Sequence, residues 1–279
     1  MEKKGETDKN LIESLKEKAR LIRLGVIGAI GIGNRGHLGG SMSCADIVAG
    51  LYFYKMKHSP DKLSDPNRDR FIMSKGHSVL AQYAALAEAG YFDKAVLPTT
   101  KSLGSLLQGH PERTTPGIEA NTGSLGQGLS IGVGMALAGK TDARDYRIYV
   151  IVGDGELAEG QIWEAAMAAS HYALDNLTAV IDMNGIQAMG RTRDRYSIQN
   201  ISGRFAAFGW KTFEIDGHKM ADIVAALDAA SAVKGCPSAI IARTVKGKGV
   251  SFAENTHIYH NNLLTAEDRE KAVASVMSM

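Results

Sequence analysis

The positions Leu11, Leu15, Ile22, Val26 and Ala29 are apolar at helical spacing, while Lys16, Glu17, Lys18 and Arg20 fill the opposite face. That pattern predicts an amphipathic helix running to about residue 32. A glycine-rich loop from Gly31 to Ser41 follows, and a second helix is predicted from Cys44 to Tyr54 with Ser43 as its N-cap. Arg70 to Ser74 is a short apolar strand; after Lys75-Gly76-His77, a helix from Ser78 to Ala89 is stopped by Gly90. Residues 95–120 hold Pro98, Pro111 and Pro116 with no sustained period, which predicts a long ordered loop. Small residues between Gly126 and Ala138 predict a helix whose backbone can lie close to a neighbour.

Two apolar runs, Arg147 to Val152 and Leu177 to Asp182, are too short to be helices and are separated by a helical segment from Gly160 to Ala173. Such an arrangement is a βαβ unit of parallel strands buried on both faces. Further strands at Lys211 to Ile215 and Ser238 to Thr244 flank a helix from Met220 to Lys234. The predicted fold class is α/β, a mostly parallel central sheet with helices on both faces, forming one domain over residues 1–279.

Composition narrows the function. An apolar content of 44% is ample for a buried core, and a net charge of +2 creates no field that would draw nucleic acid or a membrane surface. The two cysteines, Cys44 and Cys236, cannot build a disulfide framework and are expected as buried thiols in a reducing compartment. The amino terminus lacks the apolar centre of a secretory signal, and the longest uncharged apolar run, Leu24 to Gly33, is too short for a bilayer. A cytoplasmic address is the expectation.

The candidate chemistry lies at predicted strand ends. Gly153-Asp154-Gly155 closes one strand, and Asn184-Gly185 closes the next, one crossover and 30 positions later. In an open parallel sheet the carboxyl ends of adjacent strands frame a crevice, so both can face one ligand. A carboxylate, an amide oxygen and a nearby backbone carbonyl are hard donors suited to Mg²⁺ or Ca²⁺. The flanking glycines would admit phosphate oxygens close to backbone amides. Four of the eight histidines, His37, His77, His110 and His218, directly follow a glycine, as expected of side chains at loop tips. A competing motif, Gly31-Ile32-Gly33-Asn34-Arg35-Gly36, matches the dinucleotide-binding GxGxxG, but helical periodicity precedes it and no acidic residue closes a following strand.

The stretch from Gly153 to Gln187 resembles the thiamine-diphosphate fingerprint of the transketolase family. Blocks at Gly36 to Ser41, Ser74 to His77, Gly109 to Glu112, Thr122 to Gly128, Ile215 to His218 and Thr244 to Gly249 resemble family blocks in family order, so the resemblance covers about residues 11–265. It implies that Asp154, Asn184 and the backbone of Ile186 hold a divalent metal, Mg²⁺ or Ca²⁺. It implies thiamine diphosphate contacts from Lys75, His77, Gly123, Ser124, Leu125, Gly155, Glu156, Lys246 and His260. It also implies sugar-facing roles for His37, His110 and His260, and an acidic path between paired sites through Glu159 and Glu164.

In this family a glutamate on a separate pyrimidine-binding domain activates the cofactor, and that domain is not recognisable in these 279 residues. The resemblance therefore implies an amino-terminal, diphosphate-binding subunit of a split transketolase. Such a subunit transfers a two-carbon ketol unit from a ketose phosphate to an aldose only with a carboxyl-terminal partner, in an α2β2 assembly. Leu38, where proline is common, and Asn261-Asn262 depart from the family pattern beside sugar-facing histidines. Pentose phosphates, branched sugars and sulfonated sugars all stay open as substrates. The alternatives are the α chain of a 2-oxo acid dehydrogenase, a deoxyxylulose-phosphate synthase and a non-catalytic binding subunit.

Overall fold

The structure is a computed structural model that describes residues 2–31, 35–196 and 198–279. The chain opens with helix α1 (Glu2–Ile30), a two-residue strand β1 (Arg35–Gly36) and two short helices, α2 (Leu38–Ser43) and α3 (Ala45–Gly50). Strand β2 (Arg70–Met73), helix α4 (Val79–Glu88) and, after the irregular segment, helix α5 (Gln127–Thr141) follow. Strand β3 (Ile148–Gly153), helix α6 (Gly160–His171) and strand β4 (Leu177–Met183) form the expected βαβ unit. The short strands β5 (Ile186–Gln187) and β6 (Gly190–Arg191) and helices α7 (Thr192–Arg195) and α8 (Ile201–Ala207) lead to strand β7 (Lys211–Asp216). Helix α9 (Met220–Ala232), strand β8 (Ser238–Arg243), a short β9 (Asn262–Leu263) and helix α10 (Ala266–Met277) complete it.

The central sheet runs β2-β3-β4-β8-β7, and all four pairings are parallel. Strand alternation divides the core in two, since successive side chains leave opposite faces. Tyr149 and Ile151 join a core built with α1, α3, α4 and α9, whereas Ile148, Val150 and Val152 join one built with α5, α6 and α8. Burial on both faces explains why these strands read as continuous apolar runs. Helix α5 approaches β3 closely because a Cβ on Gly132 would lie 2.7 Å from Val150 Cγ2.

Three expectations need correction. The segment expected as a loop before residue 44 is helical from Leu38, and Cys44 (φ −97°, ψ 5°) is the hinge between α2 and α3. Ser43 is not an N-cap: its hydroxyl donates to Asp182 Oδ2 at 2.5 Å, with Gly40 O 3.0 Å away as an alternative acceptor. Gly39 and Gly40, which suggested a loop, are instead the small residues that let α2 lie against Lys246 and Ser78. Cys44 is buried, with its thiol pushed up to about 11 by burial, but Cys236 is partly exposed. Of the GxGxxG motif, Ile32, Gly33 and Asn34 lie outside the described residues; the element before it is helix α1, which leaves the dinucleotide reading without its strand.

Helix α10 was not anticipated. It starts at a capping box in which Thr265 Oγ1 accepts from the Asp268 amide at 3.0 Å and Asp268 accepts from the Thr265 amide at 3.1 Å. Among the described residues no helix is long and apolar enough to cross a membrane.

Candidate active site

The carboxyl ends of β3 and β4 lie side by side because Gly153 pairs in register with Asp182. Asp154, one residue beyond, is buried; its Oδ1 accepts from the Gly155 amide at 2.9 Å and its Oδ2 from the Gly185 amide at 2.7 Å and Thr192 Oγ1 at 3.2 Å. The carboxylate thus ties the two strand ends into one floor, and burial, together with Asp182, raises its pKa. Asn184 Oδ1 accepts from the Ile186 amide at 3.1 Å, and Ile186 O accepts from Lys246 Nζ at 2.8 Å. One carboxylate, one amide oxygen and one backbone carbonyl stand together at the strand ends, a donor set that fits a hard divalent cation.

Beneath that floor is a charge network that sequence reasoning missed. Asp182, fully buried on β4, accepts from the Lys75 ammonium, Ser43 Oγ, Thr244 Oγ1 and, at 3.2 Å, Asn184 Nδ2. The last bond fixes which end of the Asn184 amide is the oxygen, which accepts from the Ile186 amide and keeps one lone pair for a further partner. Burial pushes the Asp182 carboxyl up, but Lys75 outweighs it and holds the group below its ordinary range. Lys75 also donates to Gly40 O at 2.7 Å, so α2, β2 and β4 meet on one ammonium. An Asp two residues before the Asn was the available signal, hidden inside an apolar run.

A cleft of about 260 Å³ opens above these groups, lined by His37, His77, Gly123, Leu125, Asp154, Gly155, Glu156, Asn184, Ile186, Gln187, Lys246 and His260, among others. Three imidazoles pack around His37: ring centroids lie 5.1 Å away for His77, 5.4 Å for His260 and 6.3 Å for His110. The antiparallel pairing of β1 with β9, Gly36 opposite Asn262, brings His37 beside His260 across 223 residues of sequence. His77 sits on a turn pressed onto the Thr122-Gly123 backbone, since a Cβ on Gly76 would lie 2.7 Å from Gly123 N. Gly123 itself (φ +149°) lies close against the His110 ring, 3.0 Å from where a Cβ would stand, in a backbone conformation that favours glycine.

Burial lowers the pKa of every imidazole in the cluster. His37 is held down to about 4 by burial, with Lys101, His110 and Lys246 adding, and His260 to about 3 by burial and then Lys246. His77 falls well below its ordinary value and His110 falls less. All four are neutral at neutral pH and able to accept a proton. Lys246, lowered by burial and by Lys75 to about 8, donates to Ile186 O and bonds His260 Nδ1 at 2.9 Å.

Other predicted residues fall around this centre. Ser124 is exposed on the turn beside Gly123 and Leu125. Glu156 lines the cleft, yet its carboxylate accepts from Ser74 Oγ at 2.5 Å and from the amides of Gly126 and Gly153 at 2.9 and 3.0 Å, so it braces three segments. Glu159 and Glu164 are exposed at the start of α6, outside the cleft lining. Gln187 is a further residue that sequence reasoning missed. Its buried Nε2 donates to no described residue, and its side chain packs where a Cβ on Gly155 would lie, 2.7 Å from Gln187 Cγ. An unmatched donor beside a glycine at the cleft floor fits an anionic ligand such as a diphosphate. A second cleft of about 430 Å³ shares Asp154, Asn184 and Ile186 with the first, is lined also by Arg191, Thr192, Arg193 and Tyr196, and contains none of the imidazoles.

Oxygen donors, an unmatched amide donor and neutral imidazoles at the carboxyl edge of a parallel sheet define an α/β protein with a cleft whose chemistry suits an anionic ligand. Comparison with known proteins specifies the class further. The family described as "Transketolase, thiamine diphosphate binding domain" matches residues 14–276. The chain is 44% identical over 265 residues to an apulose-4-phosphate transketolase subunit from Phocaeicola vulgatus, covering 95% of this chain and 92% of the relative. It is 45% identical over 266 residues to the 6-deoxy-6-sulfo-D-fructose transketolase subunit SqwG of Clostridium sp., covering 94% and 96%. A transketolase structure from Leishmania mexicana superposes with a TM-score of 0.89 at 33% identity, covering 94% of this chain and 41% of the other. The chain belongs to the transketolase family, as its thiamine-diphosphate-binding domain.

Proposed function

We propose that this chain is the diphosphate-binding subunit of a split transketolase-type transferase, which moves a two-carbon ketol unit from a ketose to an aldose acceptor. The observation that carries the reading is the meeting of three neutral imidazoles, His37, His77 and His260, with the Asp154, Asn184 and Ile186 oxygens in one cleft, with His110 beside His37. Residues 1–279 act as a single diphosphate-binding unit. Asp154, Asn184 and the Ile186 carbonyl would hold Mg²⁺, while His77, Gln187, Lys246 and the Gly155 backbone would receive the diphosphate. Gly123, Ser124 and Leu125 would border the organic rings. Lys75 and Glu156, both committed to internal partners, would act from behind, one by its charge and one by fixing the turns.

When bound, thiamine diphosphate supplies the nucleophilic carbon and the electron sink. The protein then has to orient the sugar and carry protons. His37 and His260, held neutral and stacked edge to face, are poised to take the donor hydroxyl proton and to bond the neighbouring oxygen. His110, exposed at the rim, would contact the outer sugar hydroxyls. Glu159 and Glu164 lie on the outer surface where a second polypeptide would cover them, which supports their place on an acidic path at a subunit interface.

A carboxyl-terminal partner would bring the pyrimidine-binding domain and its activating glutamate, in an α2β2 assembly. Support comes from two relatives that are themselves named as subunits and that this chain covers over 92% and 96% of their length. Cysteines that remain free, one of them buried, support a cytosolic address. The test is a ketol-transfer assay with thiamine diphosphate and Mg²⁺, offering a pentulose phosphate, apulose 4-phosphate and 6-deoxy-6-sulfo-D-fructose as donors. Turnover is expected from the chain with its partner and not from the chain alone. Turnover by the isolated chain would overturn the split-enzyme reading.

A further inference from the structure

His218 stands outside the cleft, yet it is bonded at both ring nitrogens. Nδ1 lies 2.8 Å from Asp46 Oδ2, and Nε2 accepts from the Val245 amide at 2.8 Å. An amide can only donate, so Nε2 carries no proton and Nδ1 must donate to the carboxylate, which fixes the tautomer. Asp46, buried on α3, also accepts both arms of the Arg23 guanidinium, at 3.1 and 2.5 Å, and Arg23 Nε reaches on to Lys248 O at 3.1 Å. Val245 and Lys248 are therefore both held by groups anchored on the same carboxylate.

Between those two anchors lies Lys246. Its loop turns tightly at Gly247 (φ +79°), where a Cβ would collide with Ala253 O, and the Gly247 amide donates to Gly39 O at 2.9 Å. The Lys246 side chain leaves this loop toward the cleft and reaches Ile186 O at 2.8 Å. Burial pushes the Asp46 carboxyl up, but Arg23 and His218 outweigh it and hold the group at about 2, so the anchor stays charged at neutral pH.

We propose that His218 is a positioning residue: with Asp46 and Arg23 it clamps the loop from Val245 to Lys248 and so aims Lys246 at the diphosphate. This rests on the reading of Lys246 as a diphosphate contact. The carboxylate fixes the imidazole, the imidazole fixes the Val245 amide, and the adjacent residue delivers the ammonium. A side chain with no acceptor at the Nε2 position would leave the Val245 amide unmatched and the loop loose. A glutamine, whose amide oxygen can take the place of Nε2, would keep the bond.

The test is a double-mutant cycle on the full chain, reading binding of thiamine diphosphate and, in parallel, of inorganic diphosphate, each with Mg²⁺, by titration calorimetry. Lys246→Met should weaken binding about tenfold or more, as expected for a charge-assisted hydrogen bond. His218→Phe should weaken it roughly fivefold in the wild-type background and less than about twofold in the Lys246→Met background, because its effect runs through that lysine. His218→Gln should restore affinity to within about twofold of wild type. Circular dichroism separates these effects from misfolding, and a His218→Phe chain that fails to fold leaves the glutamine and lysine arms to decide. Equal losses from His218→Phe in both backgrounds, or a His218→Gln chain that binds ten times more weakly, would overturn the proposal. An unaffected Lys246→Met chain would instead remove the reading of Lys246, and this proposal with it.

Discussion

The floor of the cleft and its histidine wall solve opposite problems. On the floor, Asp154, Asp182, Lys75 and Asn184 are engaged by hydrogen bonds from β2, β4, α2 and the loops after β4 and β8. In the wall, the imidazoles of His37, His77 and His110 make no hydrogen bond with any described residue, and His260 makes one, with Lys246. A buried charge must be paired or it destabilises the fold, so the floor is built to be rigid before any ligand arrives. A neutral imidazole costs far less to leave unmatched at a half-open cleft, so the wall can keep its nitrogens for the substrate. Rigidity lies where a cation and a diphosphate would sit, and free hydrogen-bonding capacity lies where a sugar would.

That contrast fails if floor and wall respond alike to mutation. The largest effect on folding is expected from Asp182→Ala, which strands the buried Lys75 ammonium and should cost about 3–5 kcal/mol in denaturant unfolding. A loss under about 1 kcal/mol would mean the network does not hold the floor together. Asp154→Ala should weaken Mg²⁺-dependent binding of thiamine diphosphate about a hundredfold or more in calorimetry. Unchanged affinity would remove Asp154 from the site.

Mutations in the wall should move activity and spare stability. His37→Asn is expected to lower kcat of the assembled enzyme about a hundredfold, while unfolding free energy stays within about 0.5 kcal/mol. If instead the chain unfolds more easily and turns over normally, His37 belongs to the structure rather than to the chemistry.

The last effect is a pH dependence. His37 and His260 have folded pKa values near 4 and 3, below the ordinary histidine value of 6.5. As pH falls through 6.5 the unfolded chain takes up protons that the folded chain refuses, so the stability these groups contribute is complete above that pH. It drains away as pH falls toward the folded values. Urea midpoints should decline over that interval, and His37→Asn should flatten the decline; a slope unchanged by the substitution would show that the wall does not set it.

Most of the sheet was legible in the sequence because its strands are buried on both faces and read as continuous apolar runs, as at Tyr149 to Val152 and Thr178 to Ile181. Asp154 and Asn184 were legible for a related reason: strand ends in adjacent parallel register face one crevice, whatever fills the crossover between them. Helix α2 was not, because glycines at residues 39 and 40 signal a loop locally and only the neighbours Lys246 and Ser78 make them helical packing residues. Nor was Asp182, whose buried charge sits near the carboxyl end of β4 and is tolerated there only because Lys75, Ser43 and Thr244 arrive from remote segments.

The sequence by itself therefore determined the class of the protein: which segments are strands, which strand ends carry oxygen donors, and which histidines ride on loop tips. Tertiary structure alone decided how those pieces act. Pairing of β1 with β9 set His37 beside His260, and the bonds from Asn184 Nδ2 to Asp182 and from the Ile186 amide to Asn184 Oδ1 fixed the orientation of the amide. The Asp46–His218–Val245 relay fixed the loop that carries Lys246. The division follows from range: local pattern records which face of an element is buried, whereas the partner of a polar group is set by segments that meet only when the chain has folded.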